Sequence, residues 1–125
     1  MRHAEAVAAF GRSVGFEALS LEPRGLAQLL LGEDRALTIE AVDETLLVYL
    51  TAAARFVETP RLVAALQSVN ARRQDGPALQ LGLRGNGGDA TLIVLARLAG
   101  RALSGSDIGR AVDALLAWHH EWQAS

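Results

Sequence analysis

ALTIEAV-DE-TLLVYLTAAA, running from Ala36 to Ala54, decides the fold. Its first seven residues alternate, with Leu37, Ile39 and Ala41 on one side and Thr38, Glu40 and Val42 on the other, the period of a half-buried strand. Asp43-Glu44 leaves room only for a tight reversal. From Thr45 to Ala54, Leu46, Val48 and Leu50 oppose Leu47, Tyr49 and Thr51, so apolar side chains leave on both faces, as in a strand with neighbours on either side. Two strands joined this closely pair antiparallel, and the remaining segments are read against that hairpin.

Upstream, Gly25 to Leu31 is a short apolar run bounded by Glu22-Pro23 and the turn-forming Gly32-Glu33-Asp34-Arg35, which predicts another strand. Before it, Val7, Phe10 and Val14 recur at i, i+3 and i+7 on one face of a helix from His3 to Val14, and Gly15 supplies its end. Downstream, Thr59-Pro60 reads as a helix cap followed by proline in the first turn, with Leu62, Ala65, Leu66 and Val69 as the apolar stripe of a helix reaching Arg72 or Arg73. Asp75-Gly76-Pro77 breaks the chain. Leu79, Leu81 and Leu83 then alternate with Gln80, Gly82 and Arg84, and the turn Gly85-Asn86-Gly87-Gly88 leads to a hairpin partner over Thr91 to Leu98. Ser104 with Asp107 predicts a capping-box-like start for a last helix on which Ile108, Val112, Leu115, Leu116, His119 and Trp122 trace one face. Gly109 weakens that helix by about 1 kcal/mol relative to Ala. The order α-β-β-β-α-β-β-α, with local connections and no internal repeat or linker, predicts an α+β fold: a twisted antiparallel sheet with three helices in one domain spanning residues 1–125.

Composition narrows the function. Half of the 125 residues are hydrophobic, more than a domain of this size encloses comfortably, so some are expected to meet a second subunit or a ligand. No uncharged run is longer than Thr45 to Ala54, which is too short to span a bilayer, and Met1-Arg2-His3-Ala4-Glu5 lacks the apolar core of a signal peptide, so a cytoplasmic protein without membrane insertion is expected. The absence of cysteine removes thiolate and disulfide chemistry. A net charge of −2 and a pI near 5.9 argue against nucleic acid as a partner. All twelve basic residues are Arg, a bias of lineage rather than of function.

Catalytic patterns are weak. His119 and His120 are adjacent on a helix and point about 100° apart, unlike the i, i+4 pair that shares a metal, so a partly solvated helix end is the preferred reading. Gly85-Asn86-Gly87-Gly88-Asp89-Ala90 matches the looser dinucleotide fingerprint, but too little chain follows for the βαβ unit it requires. Ser104 and Ser106 lack a nucleophile elbow, and Glu33-Asp34 and Asp43-Glu44 sit in turns where charge is ordinary. No enzyme and no cofactor is expected. Trp118 and Trp122, at i and i+4, stack along one helical face and serve either the core or a binding or dimer edge.

In this setting the chain resembles the class I chaperones of type III secretion, the Tir chaperone (CesT-like) family. The resemblance spans nearly the whole chain: the leading helix, Leu26-Ala27-Gln28-Leu29-Leu30-Leu31, Leu37-Thr38-Ile39-Glu40, Leu46-Leu47-Val48-Tyr49-Leu50, a helix ending near Val69-Asn70, Leu81-Gly82-Leu83, and a last helix closing on Trp118 to Trp122. It lies in order, length and mild acidity rather than in an invariant motif, and the Ala- and Arg-rich composition departs from it. It implies a bacterial cytoplasmic homodimer that binds the N-terminal chaperone-binding segment of one or more secreted effectors, keeps it extended, and delivers it to the export apparatus, whose ATPase is a candidate partner. The segment would add strand pairing and fill apolar grooves. On this resemblance Leu62, Leu66, Val69 and Leu81 are expected at the dimer interface, and Val7, Phe10, Val14, Leu29 and Leu31 against the effector. The alternative is a small dimeric adaptor or regulatory domain that binds a folded partner.

Overall fold

The computed structural model describes residues 2–21, 24–54, 57–71, 77–85, 87–100 and 102–124. Helix α1 (Arg2–Ser13) leads into three strands, β1 (Leu26–Leu30), β2 (Arg35–Val42) and β3 (Thr45–Ala53). Helix α2 (Thr59–Ala71), strands β4 (Leu79–Arg84) and β5 (Thr91–Ala99), and helix α3 (Gly105–Ala124) follow. This is the predicted α-β-β-β-α-β-β-α order, and every strand pair is antiparallel.

The five strands lie in the order β1-β2-β3-β5-β4. β3 is the central strand, as its two-sided apolar pattern requires, with Ile39 opposite Val48 on one side and Leu50 opposite Val94 on the other. β5 turns back from β4 and inserts between β4 and β3. Leu37 and Ile39, then Leu46, Val48 and Leu50, then Leu92, Val94 and Ala96 form a continuous buried face. Onto it pack Val7 and Phe10 of α1 and Ile108, Ala111, Leu115 and Trp118 of α3. α1 lies against α3, α3 crosses β3 and β5, and α2 runs beside β4.

Local chemistry sets the element ends. α1 ends in a Schellman motif: Gly15 takes φ 87°, Phe16 N–H donates to Gly11 C=O at 2.7 Å, and Gly15 N–H donates to Arg12 C=O at 3.3 Å. Between β2 and β3, Asp43 adopts φ 55°, a left-handed conformation that aspartate tolerates better than most residues. The capping box of α3 is fully formed: Asp107 N–H donates to Ser104 Oγ at 3.3 Å, and Ser104 N–H donates back to Asp107 Oδ2 at 2.8 Å. These bonds, Ser104 first and Arg110 after it, hold the Asp107 carboxyl below its usual pKa.

Two expectations need adjustment. In α2 the first carbonyl to accept a helical bond is that of Glu58, from Leu62 N–H at 3.1 Å, so the cap sits one residue before Thr59. Arg72, Arg73 and the Asp75-Gly76 break lie outside the described residues. Thr38, read as an outward polar position, is on the face away from the helices yet only 3% exposed. Its neighbours across the ladder, Gln28 and Tyr49, close over it, and Gln28 Nε2 donates to Thr38 Oγ1 at 3.2 Å.

Candidate interaction surfaces

Strand β4 leaves the core gradually. Leu79 is buried, Leu81 half-buried and Leu83 exposed, because the helical layer over this end of the sheet is α2 and α2 stands off from it. Leu62 and Leu66 of α2 face Leu81, Gly82, Leu83 and Leu92 across a shallow apolar groove of about 230 Å³. Leu66 is 48% exposed, and Val63 on the same helix is nearly as open. The groove is mostly aliphatic carbon, so its chemistry is burial of apolar area, worth about 25 cal/mol per Å² removed from water.

Behind the groove, α2 is fastened to the end of α3. Ala65 and Val69 are buried in the core. Trp118 Nε1 donates to Ser68 Oγ at 3.0 Å, and the Arg61 guanidinium lies 4.3 Å from the centre of the Trp122 ring while donating to the Trp122 carbonyl at 2.8 Å. Arg61 thus satisfies one of the carbonyls left over at a helix C-terminus and complements its dipole. Trp118 and Trp122 stack with centroids 6.3 Å apart and planes 10° from parallel. Both are buried, which resolves the choice between core and edge in favour of core.

The second surface is the β1 side of the sheet. β1 pairs only with β2 among the described strands, leaving one row of backbone donors and acceptors open. Leu29 and Leu31 are half-buried and pack against the core cluster. Leu30, on the opposite face of β1, is 75% exposed, and Leu26 lies on that face with it. Val14 and Phe16, just past the end of α1, are also open to solvent.

Of the nine residues expected at partner surfaces, the structure leaves Val14 exposed, Leu66 exposed, and Leu29, Leu31, Leu62 and Leu81 half-buried. Val7 and Phe10 need correction, since at 0% and 3% exposure they are core residues beneath α3 and offer no surface to a second chain. The reason is tertiary: α3 lies so close to α1 that a Cβ on Gly105 would come within 2.9 Å of the Phe10 backbone nitrogen. Val69 is likewise buried and holds α2 to the core from behind. The sequence reading missed Phe16, Leu26, Leu30, Val63 and Leu83. For Leu26 and Leu30 the signal was present, because they alternate with the inward Ala27 and the half-buried Leu29.

His119 is the other correction. It is 1% exposed and tilted against Trp122, with ring centroids 5.9 Å apart, whereas a partly solvated helix end was expected. Burial, and secondarily the positive charge of Arg35, push its pKa down. On the far face of the sheet, Tyr49 Oη donates to Glu40 Oε1 at 3.0 Å, and burial, followed by that carboxylate, raises its pKa. Among the described residues no three His, Cys, Asp or Glu side chains gather where they would hold a metal ion, and no helix is long and apolar enough to cross a membrane.

No family model matches the chain, and no curated protein sequence does either. Solved structures do, 21 chains in all. A chain of the HopA1–SchA chaperone–effector complex superposes with a TM-score of 0.72 at 22% identity, covering 99% of this chain and 94% of that one. A chain of the complex between the Yersinia pestis type III secretion chaperone SycH and a stable fragment of YscM2 gives 0.68 at 12% identity, covering 92% and 94%. YbjN from E. coli, a proposed transcription regulator, gives 0.61 at 17%, covering 90% and 82%. Identities this low speak for the fold alone, and over nearly its whole length that fold is the one found in type III secretion chaperones.

Proposed function

We propose that the chain is a type III secretion chaperone, a cytoplasmic single-domain protein that acts as a homodimer. It holds the N-terminal chaperone-binding segment of one or more effectors extended and secretion-competent, and aids delivery to the export apparatus and its ATPase. The observation that carries this reading is the near full-length likeness to a chain solved in a chaperone–effector complex. The surfaces are compatible with it. An extended segment pairing with the open edge of β1 gains main-chain hydrogen bonds, and alternate side chains find apolar partners at Leu29, Leu31 and Val14. Val7 and Phe10 support that region from the core. Leu62, Leu66 and Leu81, with Val69 anchoring α2 behind them, form the dimer surface in this reading, which has no part for catalysis.

The test is light scattering after size exclusion, on the chain alone and co-expressed with N-terminal fragments of candidate secreted proteins. A dimer near twice 13.3 kDa that protects one fragment from protease is the expected result. A monomer that ignores every fragment refutes the proposal. A second reading, a small dimeric regulatory or adaptor domain, is favoured by the likeness to YbjN. It predicts binding to a folded partner and none to short N-terminal fragments.

A further inference from the structure

We propose that His119 makes the fastening of α3 to α2 acid-sensitive: the neutral imidazole completes the buried cluster, and protonation releases it. The ring is 1% exposed, and its Nδ1 has no hydrogen-bond partner among the described residues. As a neutral group it loses one hydrogen bond there. As a cation it would carry a second donor and a full charge into a nearly closed site in which Nδ1 has no acceptor for its proton. The charged groups placed around it among the described residues do not favour the cation. β3 and β5 present Leu46, Val48 and Leu50, and Leu92, Val94 and Ala96, on the face toward α3. From β2 the nearby charge is Arg35, which is repulsive. From α2 it is Arg61, already 4.3 Å from the centre of the Trp122 ring that a charged His119 would otherwise use. On α1, Glu5 and Arg12 are exposed and His3 is partly so, and on α3 itself Asp113, His120 and Glu121 point to solvent.

The linkage has a definite sign. Burial and Arg35 lower the pKa of His119 in the folded chain, so the stability it confers is complete above the ordinary histidine range. That stability is lost as pH falls from there through the folded-state pKa. The cluster that yields first contains His119, Trp122 and, through Ser68 and Arg61, helix α2. Loosening of the groove carrying Leu62 and Leu66, and with it of a dimer, rests on the function proposed above. The acid sensitivity of the packing does not.

Trp118 and Trp122 are the chain's two tryptophans, so intrinsic emission reports on this cluster alone. The experiment is urea unfolding of the full chain followed by tryptophan emission between pH 7.5 and 5, for the wild type, His119→Leu and a His3→Gln/His120→Gln double variant. The wild type and the double variant should lose up to roughly tenfold in folding equilibrium constant per pH unit below the histidine range, and His119→Leu should lose that dependence. An unchanged pH dependence in His119→Leu overturns the proposal. Should that variant not fold, NMR titration of the wild-type imidazole protons decides: a His119 midpoint below that of His120 supports the proposal, and one at or above it refutes it.

Discussion

Replacing Phe10 separates a core role from a surface role. At 3% exposure its ring is packed between α1 and α3, with Gly105 drawn in so closely that no side chain fits between the two backbones. Phe10→Ala removes most of an aromatic side chain from the apolar core cluster, a change that costs about 3–5 kcal/mol. The chain length lies between the size classes for which 1 kcal/mol moves Tm by roughly 4–8 °C and 2–4 °C. A fall of about 10–20 °C is therefore expected. Phe10→Asp adds the burial of an unpaired carboxylate, several kcal/mol more, which approaches the whole stability of about 5–15 kcal/mol of an ordinary domain; that variant should be found unfolded or aggregated. Thermal melts by circular dichroism measure both. If Phe10→Ala melts within about 2 °C of the wild type, or Phe10→Asp stays folded and merely loses a binding partner, the core placement of α1 is wrong and its apolar stripe faces outward after all.

Leu66→Asp places a charge on the open wall of the α2–β4 groove and should leave the monomer fold within about 0.5 kcal/mol; in the proposed homodimer it should also reduce the mass by light scattering from twice 13.3 kDa to 13.3 kDa. Glycines of α3 should respond with opposite signs. Gly105→Ala forces its Cβ to within 2.9 Å of the Phe10 nitrogen and should lower Tm, whereas Gly109→Ala enters open space and should raise stability by up to about 1 kcal/mol. Ser104→Ala breaks the capping box and should cost about 1 kcal/mol in urea unfolding. The backbone N–H of residue 104, which the variant keeps, and then the lost hydroxyl hold Asp107 below the usual carboxylate pKa, so the hydroxyl's share of that contribution is present above the unfolded pKa and is lost as pH falls through the folded one. The variant should therefore show a shallower acid limb.

Periodicity alone placed the β2–β3 hairpin, the β4–β5 hairpin and α3, because in each the pattern repeats over several turns or pleats and its ends carry specific chemistry: Asp43, Gly85, and the pair Ser104 and Asp107. The apolar surfaces were harder. Leu62 and Leu66 belong to the same stripe as Ala65 and Val69, and only the tertiary seating of α2, with a groove between it and β4, decides which of them reach solvent. Val7 and Phe10 read as a thin stripe suited to a groove wall, since no local signal tells that Gly105 will bring α3 down upon them. His119 was misread for a related reason. It sits five residues before the last described one, where helices commonly fray, and nothing local tells that it will lie against a Trp122 ring held by Arg61, from a helix far earlier in the chain.

The placement of β5 between β3 and β4 imposes a timetable on synthesis. A growing chain can pair β1, β2 and β3 as soon as residue 53 has left the ribosome, but the central strand keeps one open edge until β5 arrives. Its apolar face then stays largely uncovered, with only α1 available to pack on it, until α3, residues 105–124, comes down over it. Contacts of such long sequence separation form late and slowly. From the completion of β3 until β5 is made, the nascent chain therefore displays an unpaired strand edge beside a largely uncovered leucine- and valine-rich face, the combination most prone to sticking to other chains. Chains that stop short of residue 105 should accumulate as insoluble material rather than as a smaller folded unit.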